Sequence, residues 1–455
     1  MPWAEFSFMM GTMSWLINLA YLVILLLASP FLLLRSWRTG KYRKDLAGRL
    51  GHLSPEQQAR IDQLPPKRLL LHCVSVGELL SVRVLIEKLQ AAQPDLGIIV
   101  STITDTGTQR AREMFPADGP LKHVVPVRYP FDFSWAVNRF LRATAPTAIA
   151  LIELETWPNF IRAANRKGIP IAIINGRMTQ RAFGRYRLIA PVMRGMLHRL
   201  AFVAVQTQSI AERFIALGAD PAKITVVPTL KYDAAVMTDA IAGKEALAEA
   251  MGIGRGQALL VGGSTGPGEE EILLTTYLHL YDRFPHLRLA LVPRKPETLP
   301  QVLAAIRRLK FEPVLRTACP DGTRRHTLGK DEIVVLDTMG ELRKIYALGT
   351  INFVGRSLVK LGGSDMIESV AMGRPTCFGP HTFNFAEATA LLLDGRGAVL
   401  VPNGDSLDII LSHWLEFPAE ATATGQRGQA IIAAQRGATA QYVTRLSALL
   451  NGSAV

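Results

Sequence analysis

The sequence predicts an α/β protein of two doubly wound domains behind an apolar N-terminal helix, and three observations carry that prediction. Short runs rich in Val, Ile and Leu alternate with amphipathic stretches, the pattern of buried parallel strands joined by helices. These runs fall into two series divided by a polar, glycine-closed segment. The chain has 455 residues, long enough for about three folding units at ~150 residues each. A composition 49% hydrophobic and 20% charged, with 37 Gly and 27 Pro dispersed along it, excludes a disordered, collagen-like or coiled-coil chain.

The first element runs from Trp15 to Leu34, twenty residues without a charge, long enough as a helix to cross a hydrocarbon core. Arg35, Arg38, Lys41, Arg43, Lys44 and Arg49 follow at once with Asp45 the sole acid among them, and Glu5 is the one charge before it. By the positive-inside rule the large C-terminal body is cytoplasmic. A cleaved signal peptide would carry its basic flank on the other side and end in small residues, and this segment does neither. Pro30 and Asn18 leave both a full span and an interfacial helix open. Residues 1–40 are therefore read as a membrane anchor with its basic flank.

The first strand series comprises residues 68–74, 97–103, 123–127, 147–152, 170–175, 201–206 and 224–228. The second comprises 258–262, 288–293, 332–337, 350–355, 375–379 and 398–402. Between them the stretch 230–257 is polar and helical and ends in glycines, which makes it the linker. The expected domains are 41–233 and 234–403, with helices over 404–455 able to pack back on the first. Ligands of doubly wound domains bind at the carboxyl ends of the strands, so the expected site is a cleft between the two.

Cys73, Cys319 and Cys377 stand alone, so neither a disulfide framework nor a CxxC zinc site can be drawn. A formal charge of +13 suits an anionic partner, and the N-terminal segment points to a lipid surface rather than nucleic acid. Gly252, Gly254 and Gly256 precede their strand instead of following it, which removes the dinucleotide reading. There is no GxxxxGK[ST], HExxH or DxD, so no metal or cofactor is expected.

Several residues at strand ends carry chemistry. Glu78 lies in the first turn of the helix after strand 68–74, where a carboxylate can act as general base or simply complement the helix dipole. Glu153 and Glu155 end strand 147–152, two apart and so on one side of an extended chain. Arg177, Lys231 and Arg294 end strands or open the following loops and suit a polyanionic ligand. Gly262 to Gly266 fits GxSxG, which leaves three readings of Ser264 and Thr265: a helix cap, a phosphate-binding turn, or a nucleophilic serine. The turn Gly362–Glu368 places Asp365 and Glu368 on one face, where carboxylates suit ribose hydroxyls better than phosphate.

Taken together, HCVSVGE (72–78), STITDTGTQRA (101–111), ELETWPN (153–159), NGRMTQR (175–181), LKYD (230–233), GSTGPGEEE (263–271), LVPRKPE (291–297), DTMGEL (337–342), FVGRSLV (353–359) and GPHTFNF (379–385) resemble the Kdo transferases. These are membrane-associated glycosyltransferases that attach 3-deoxy-D-manno-octulosonic acid (Kdo) to lipid A precursor. The resemblance implies a GT-B fold of two Rossmann-like domains facing a cleft. It also implies inverting, metal-independent transfer from CMP-Kdo to the 6′-hydroxyl of lipid A precursor (lipid IVA). That chemistry belongs to lipopolysaccharide core biosynthesis, on the cytoplasmic face of the inner membrane, and needs no cofactor.

By the same resemblance Glu78 matches the base, and Glu155 and Glu153 the acidic block of the acceptor and donor-sugar site. Arg177 and Lys231 match cations for the Kdo carboxylate or leaving phosphate. Ser264 and Thr265 match the phosphate-side loop, and Pro293 and Arg294 the strand end near cytosine. Met339, Gly340 and Glu341 match the loop beside the nucleotide, and Glu368, with Asp365 near it, the ribose side. The chain departs from the family pattern by having Ser364 and Asp365 for His and Asn, Gly266 for His, and Arg356 and Lys360 in the FVGRSLV block. A donor other than CMP-Kdo, namely another acidic sugar nucleotide, and a serine hydrolase using Ser264 are the alternatives. So are a GT-B-like epimerase and a non-catalytic nucleotide binder at the membrane.

Overall fold

A computed structural model describes Trp15, residues 17–27, Ser29, 45–323 and 325–453. Among the described residues fourteen strands, numbered in chain order, form two all-parallel sheets. The first joins β1 (Arg68–Cys73), β2 (Gly97–Thr102), β3 (Val124–Arg128), β4 (Ala148–Ile152), β5 (Ile171–Gly176), β6 (Phe202–Val205) and β7 (Ile224–Val226) in the order β3-β2-β1-β4-β5-β6-β7. The second joins β8 (Ala258–Thr265), β9 (Leu287–Pro293), β10 (Glu312–Leu315), β11 (Glu332–Val335), β12 (Ile351–Val354), β13 (Thr376–Phe378) and β14 (Val399–Leu400) in the order β10-β11-β9-β8-β12-β13-β14. All thirteen apolar runs are strands. The sequence reading missed β10, an edge strand whose Glu312 and Pro313 break the apolar run.

The chain divides into two compact units, one reaching Ala234 and including the tail from Arg436, the other Ala235–Gln435. In the first unit alternate strand residues fill opposite faces. Leu70, Ile149 and Ile173 join one apolar cluster, and Leu69, Leu71 and Ile174 join the other. The final helix, Ala438–Leu450, closes the second face by burying Tyr442 and Leu446. The Tyr442 hydroxyl accepts the Asn175 N–H at 2.9 Å, and Asp233 accepts the Gly437 N–H at 2.7 Å at the start of that helix. The second unit has its own cluster around Leu260, Leu289, Ile333 and Phe353. Its β8 carries glycine at 263 because a Cβ there would lie 2.1 Å from the Tyr346 hydroxyl packed against it.

Residues 1–14, 16, 28 and 30–44 lie outside the described residues, and with them the end of the expected Trp15–Leu34 anchor and most of its basic flank. Trp15, residues 17–27 and Ser29 are helical. Among the described residues no helix is long and apolar enough to cross a membrane, so the anchor expectation stands without structural support.

Candidate active site

In a doubly wound sheet the chain leaves the strands in opposite directions at one point, and the loops diverging there open a crevice at the carboxyl edge. In the first sheet that point lies between β1 and β4. The residues following β1 and β4 include Glu78, Glu153 and Glu155.

Glu78 occupies the third position of the helix Val76–Ala92, whose N-cap Ser75 accepts the Glu78 N–H. Its carboxylate accepts the Val74 N–H at 2.8 Å and the Ser75 hydroxyl at 2.9 Å. Burial pushes the Glu78 carboxyl up to about 7, the charge of Glu153 adding to the shift and those local hydrogen bonds opposing it. Glu155 is likewise pushed up to about 7 by burial, against a 3.1 Å bond from the Trp157 indole N–H; the charges of Glu78 and Glu153 reinforce burial. Glu153 sits at φ +61, a backbone region a non-glycine residue rarely occupies and one that clusters at functional sites. The three carboxylates are thus within electrostatic reach of one another, and two exchange protons near neutrality.

The other first-unit candidates share this edge. Arg177 follows β5. Lys231 lies on the short helix Leu230–Ala234, held to the end of β5 where the Asn175 side chain, at φ +52, accepts the Leu230 N–H at 3.2 Å. His72 is a core histidine: its ring stacks on Tyr129 at 3.8 Å, Nδ1 bonds the Ser101 hydroxyl at 2.9 Å, and burial pushes it down to about 3.

Sequence reasoning missed Asp132. Its carboxylate accepts the N–H groups of Asn159 at 3.0 Å and Phe160 at 2.8 Å. It thereby caps from a distance the helix Pro158–Arg166, whose own N-cap, Trp157, provides no side-chain acceptor. The Tyr21 hydroxyl donates to the same carboxylate at 3.0 Å, and burial pushes Asp132 up to about 6. Asp132 therefore fixes the start of the helix that continues the Glu153–Trp157 loop. The PFDF context carries no periodic signal that would single it out.

In the second unit the corresponding point lies between β8 and β12. It is filled by Glu269, fully buried, which accepts the N–H groups of Gly266 at 2.7 Å and of Ser357 and Leu358 at 2.8 Å each, together with that of Arg356. Of the three readings of Ser264 and Thr265, the helix cap does not hold: Gly268 takes that position, since β8 continues through Thr265 and the helix begins at Glu269. Ser264 turns at φ +53 and Thr265 donates its hydroxyl to Glu270 at 2.7 Å. Among the described residues no histidine hydrogen-bonds the Ser264 hydroxyl, so a serine–histidine nucleophile is not assembled.

Pro293 and Met339 line one cavity with Leu299, Leu336 and Asp337, and Met339 is 79% exposed beside Gly340 at φ +90. Glu341 is gripped by the Arg316 guanidinium at 2.9 and 3.0 Å and by Lys344 at 3.1 Å, and Arg316 holds its carboxyl down at about 2. It therefore shapes this loop from beneath. Glu368 pairs with Arg343 at 2.9 Å and lies within electrostatic reach of Arg294 and Asp365, whose carboxylate caps the Ile367 N–H at 3.0 Å.

All these candidates lie at the carboxyl edge of their own sheet, carboxylates prominent in one unit and ion-paired acids in the other. The comparisons with known proteins give this arrangement its class. The structure is similar to that of Anabaena Alr3699/HepE in complex with UDP and glucose, with TM-score 0.55 and 10% identity over 85% of this chain and 100% of that one. The fold is GT-B, and the chain is a glycosyltransferase. Residues 44–234 match the model of the 3-deoxy-D-manno-octulosonic-acid transferase (kdotransferase) family. The 3-deoxy-D-manno-octulosonic acid transferase of Haemophilus influenzae is 29% identical over 435 residues, 94% of this chain and 98% of that one. That of Bordetella pertussis is 28% identical, covering 83% and 86%. The first unit thus matches the Kdo transferase family model, and the chain as a whole is similar to Kdo transferases along most of its length.

Proposed function

We propose that this enzyme moves Kdo from CMP-Kdo to the 6′-hydroxyl of lipid A precursor (lipid IVA), with inversion, on the cytoplasmic face of the inner membrane. The observation that carries the reading is the group of Glu78, Glu153 and Glu155 at the β1/β4 crevice, with Glu78 held near 7. A primary hydroxyl attacks only as its proton is removed, and a carboxylate with a pKa near the working pH is the most effective acceptor for it. Glu78 takes that proton. The oxygen then bonds to the anomeric carbon of Kdo as the bond from that carbon to the CMP phosphate breaks, and CMP departs with the electron pair. Glu153 and Glu155 keep Glu78 basic and line the acceptor side. Arg177 and Lys231 balance the Kdo carboxylate and the charge developing on the phosphate.

The second unit holds the donor. Pro293 and Met339 receive the base, Arg294 and the Ser264–Gly266 backbone face the phosphate, and Glu368 with Asp365 takes the ribose. Relatives across most of the chain named as Kdo transferases support the donor, and the apolar, cation-flanked N-terminal segment supports a membrane-borne acceptor. Mass spectrometry of tetraacylated lipid A precursor incubated with the enzyme and a CMP-Kdo-generating system tests the reading. A product heavier by Kdo units is expected, and an unmodified acceptor refutes it.

A further inference from the structure

The first unit presents a cationic, apolar turn that no part of the transfer mechanism uses. Leaving β5, the chain forms the helix Gln180–Arg187, none of whose residues is buried. At the turn into the next helix, Ala190–Leu197, Leu188 is 85% exposed, and Ile189 and Val192 are about half exposed. The turn is anchored from beneath, since Met193 and Met196 enter the core and Phe183 and Tyr186 pack partly against it. Large aliphatic side chains held outward on a fixed support seldom serve folding.

Their surroundings identify the partner. Between Glu155 and Glu212 the sequence contains no acid and nine cations, among them Arg185, Arg187 and Arg194, all exposed around this turn. Apolar tips ringed by arginines match the boundary between anionic headgroups and acyl chains.

Position adds to this. The helix that ends at this turn opens just past the carboxyl end of β5, and its Tyr186, two residues before Leu188, lies within electrostatic reach of Glu155, which places the turn beside the carboxylates at that sheet edge. The N-terminal helix is fastened at that edge as well, through Asn18 to Ser134 at 2.8 Å and Tyr21 to Asp132 at 3.0 Å, with Leu26 and Leu27 outward.

We propose that the turn at Leu188–Val192 is a membrane-docking element that seats the first unit on an anionic bilayer, with its carboxylate edge toward the lipid. The inference deepens the proposed function by naming the element that brings the site to its acceptor.

The test uses the full chain with Leu188→Cys carrying an environment-sensitive fluorophore. The native Cys73, Cys319 and Cys377 are all buried, so labelling is directed to position 188. On vesicles of phosphatidylcholine with phosphatidylglycerol the emission should shift to the blue and be quenched by nitroxide lipids. Charge reversal by Arg185→Glu with Arg187→Glu should weaken vesicle binding by ~10-fold or more. A labelled protein that co-sediments with these vesicles without an emission change, or that does not bind them, overturns the inference. Vesicle contact is read without turnover, so failure of Kdo transfer in the wild-type enzyme would refute the proposed function separately.

Discussion

The two sheets are built alike, yet acids at their carboxyl edges can be treated in opposite ways, as Glu78 and Glu341 show. In the first, burial and mutual repulsion lift Glu78 and Glu155 to about 7. In the second, Arg316 draws Glu341 to about 2, whereas burial lifts Glu368 above its ordinary value even with Arg343 paired to it. The same fold can therefore supply acids poised to exchange protons, such as Glu78, and an acid locked as scaffolding, Glu341. The difference lies in whether a guanidinium outweighs burial, as Arg316 does at Glu341 and Arg343 does not at Glu368.

The largest effect that sharpens this contrast is expected from Glu78→Gln. Removing the base should lower turnover by ~10²–10⁴-fold, while CMP binding measured by calorimetry persists. Lost CMP binding would make Glu78 a structural residue. On the scaffolding side, Arg316→Met leaves Glu341, whose side chain is 12% exposed, without its main partner. Urea unfolding should register a loss of about 2–4 kcal/mol, and an unchanged midpoint would break the contrast. Asp132→Ala removes the acceptor for two helix N–H groups and for Tyr21, and should cost about 2–3 kcal/mol by the same measurement.

The smallest expected effect is one of pH. The folded-state pKa of Glu155 lies above its ordinary 4.5, so its favourable contribution is complete below that value and is lost as pH rises through about 7. Glu155→Gln should accordingly melt like the wild type near the ordinary carboxylate pKa and be more stable, by about 1–2 kcal/mol, in mildly alkaline buffer. A stabilisation equal at both pH values would mean that Glu155 is not held up by burial.

Much of this contrast was legible in the sequence because buried parallel strands are written as unbroken apolar runs, and residues just past such runs fall at the carboxyl edge whatever their role. Glu78, Glu153 and Glu155 were found that way. What could not be read is which partner each acid meets. Glu269 reads as one of three acids complementing a helix dipole, yet it is fully buried and gathers N–H groups from the loop after β12, some ninety residues away. Glu341 reads as a nucleotide-side acid until Arg316, from the end of β10, is seen to hold it. Strand β10 itself was hidden by Pro313 at a sheet edge, and the cap at Gly268 by the continuation of β8 past two glycines. Each is a long-range pairing or a backbone turn, which local periodicity does not encode.

The most direct test of the central claim is the pH dependence of turnover in the wild type and in Glu153→Gln. The wild-type rate should rise through a midpoint near 7, and deleting the neighbouring charge should move that midpoint down. A rising limb at the ordinary carboxylate pKa, or one that Glu153→Gln leaves in place, would contradict it.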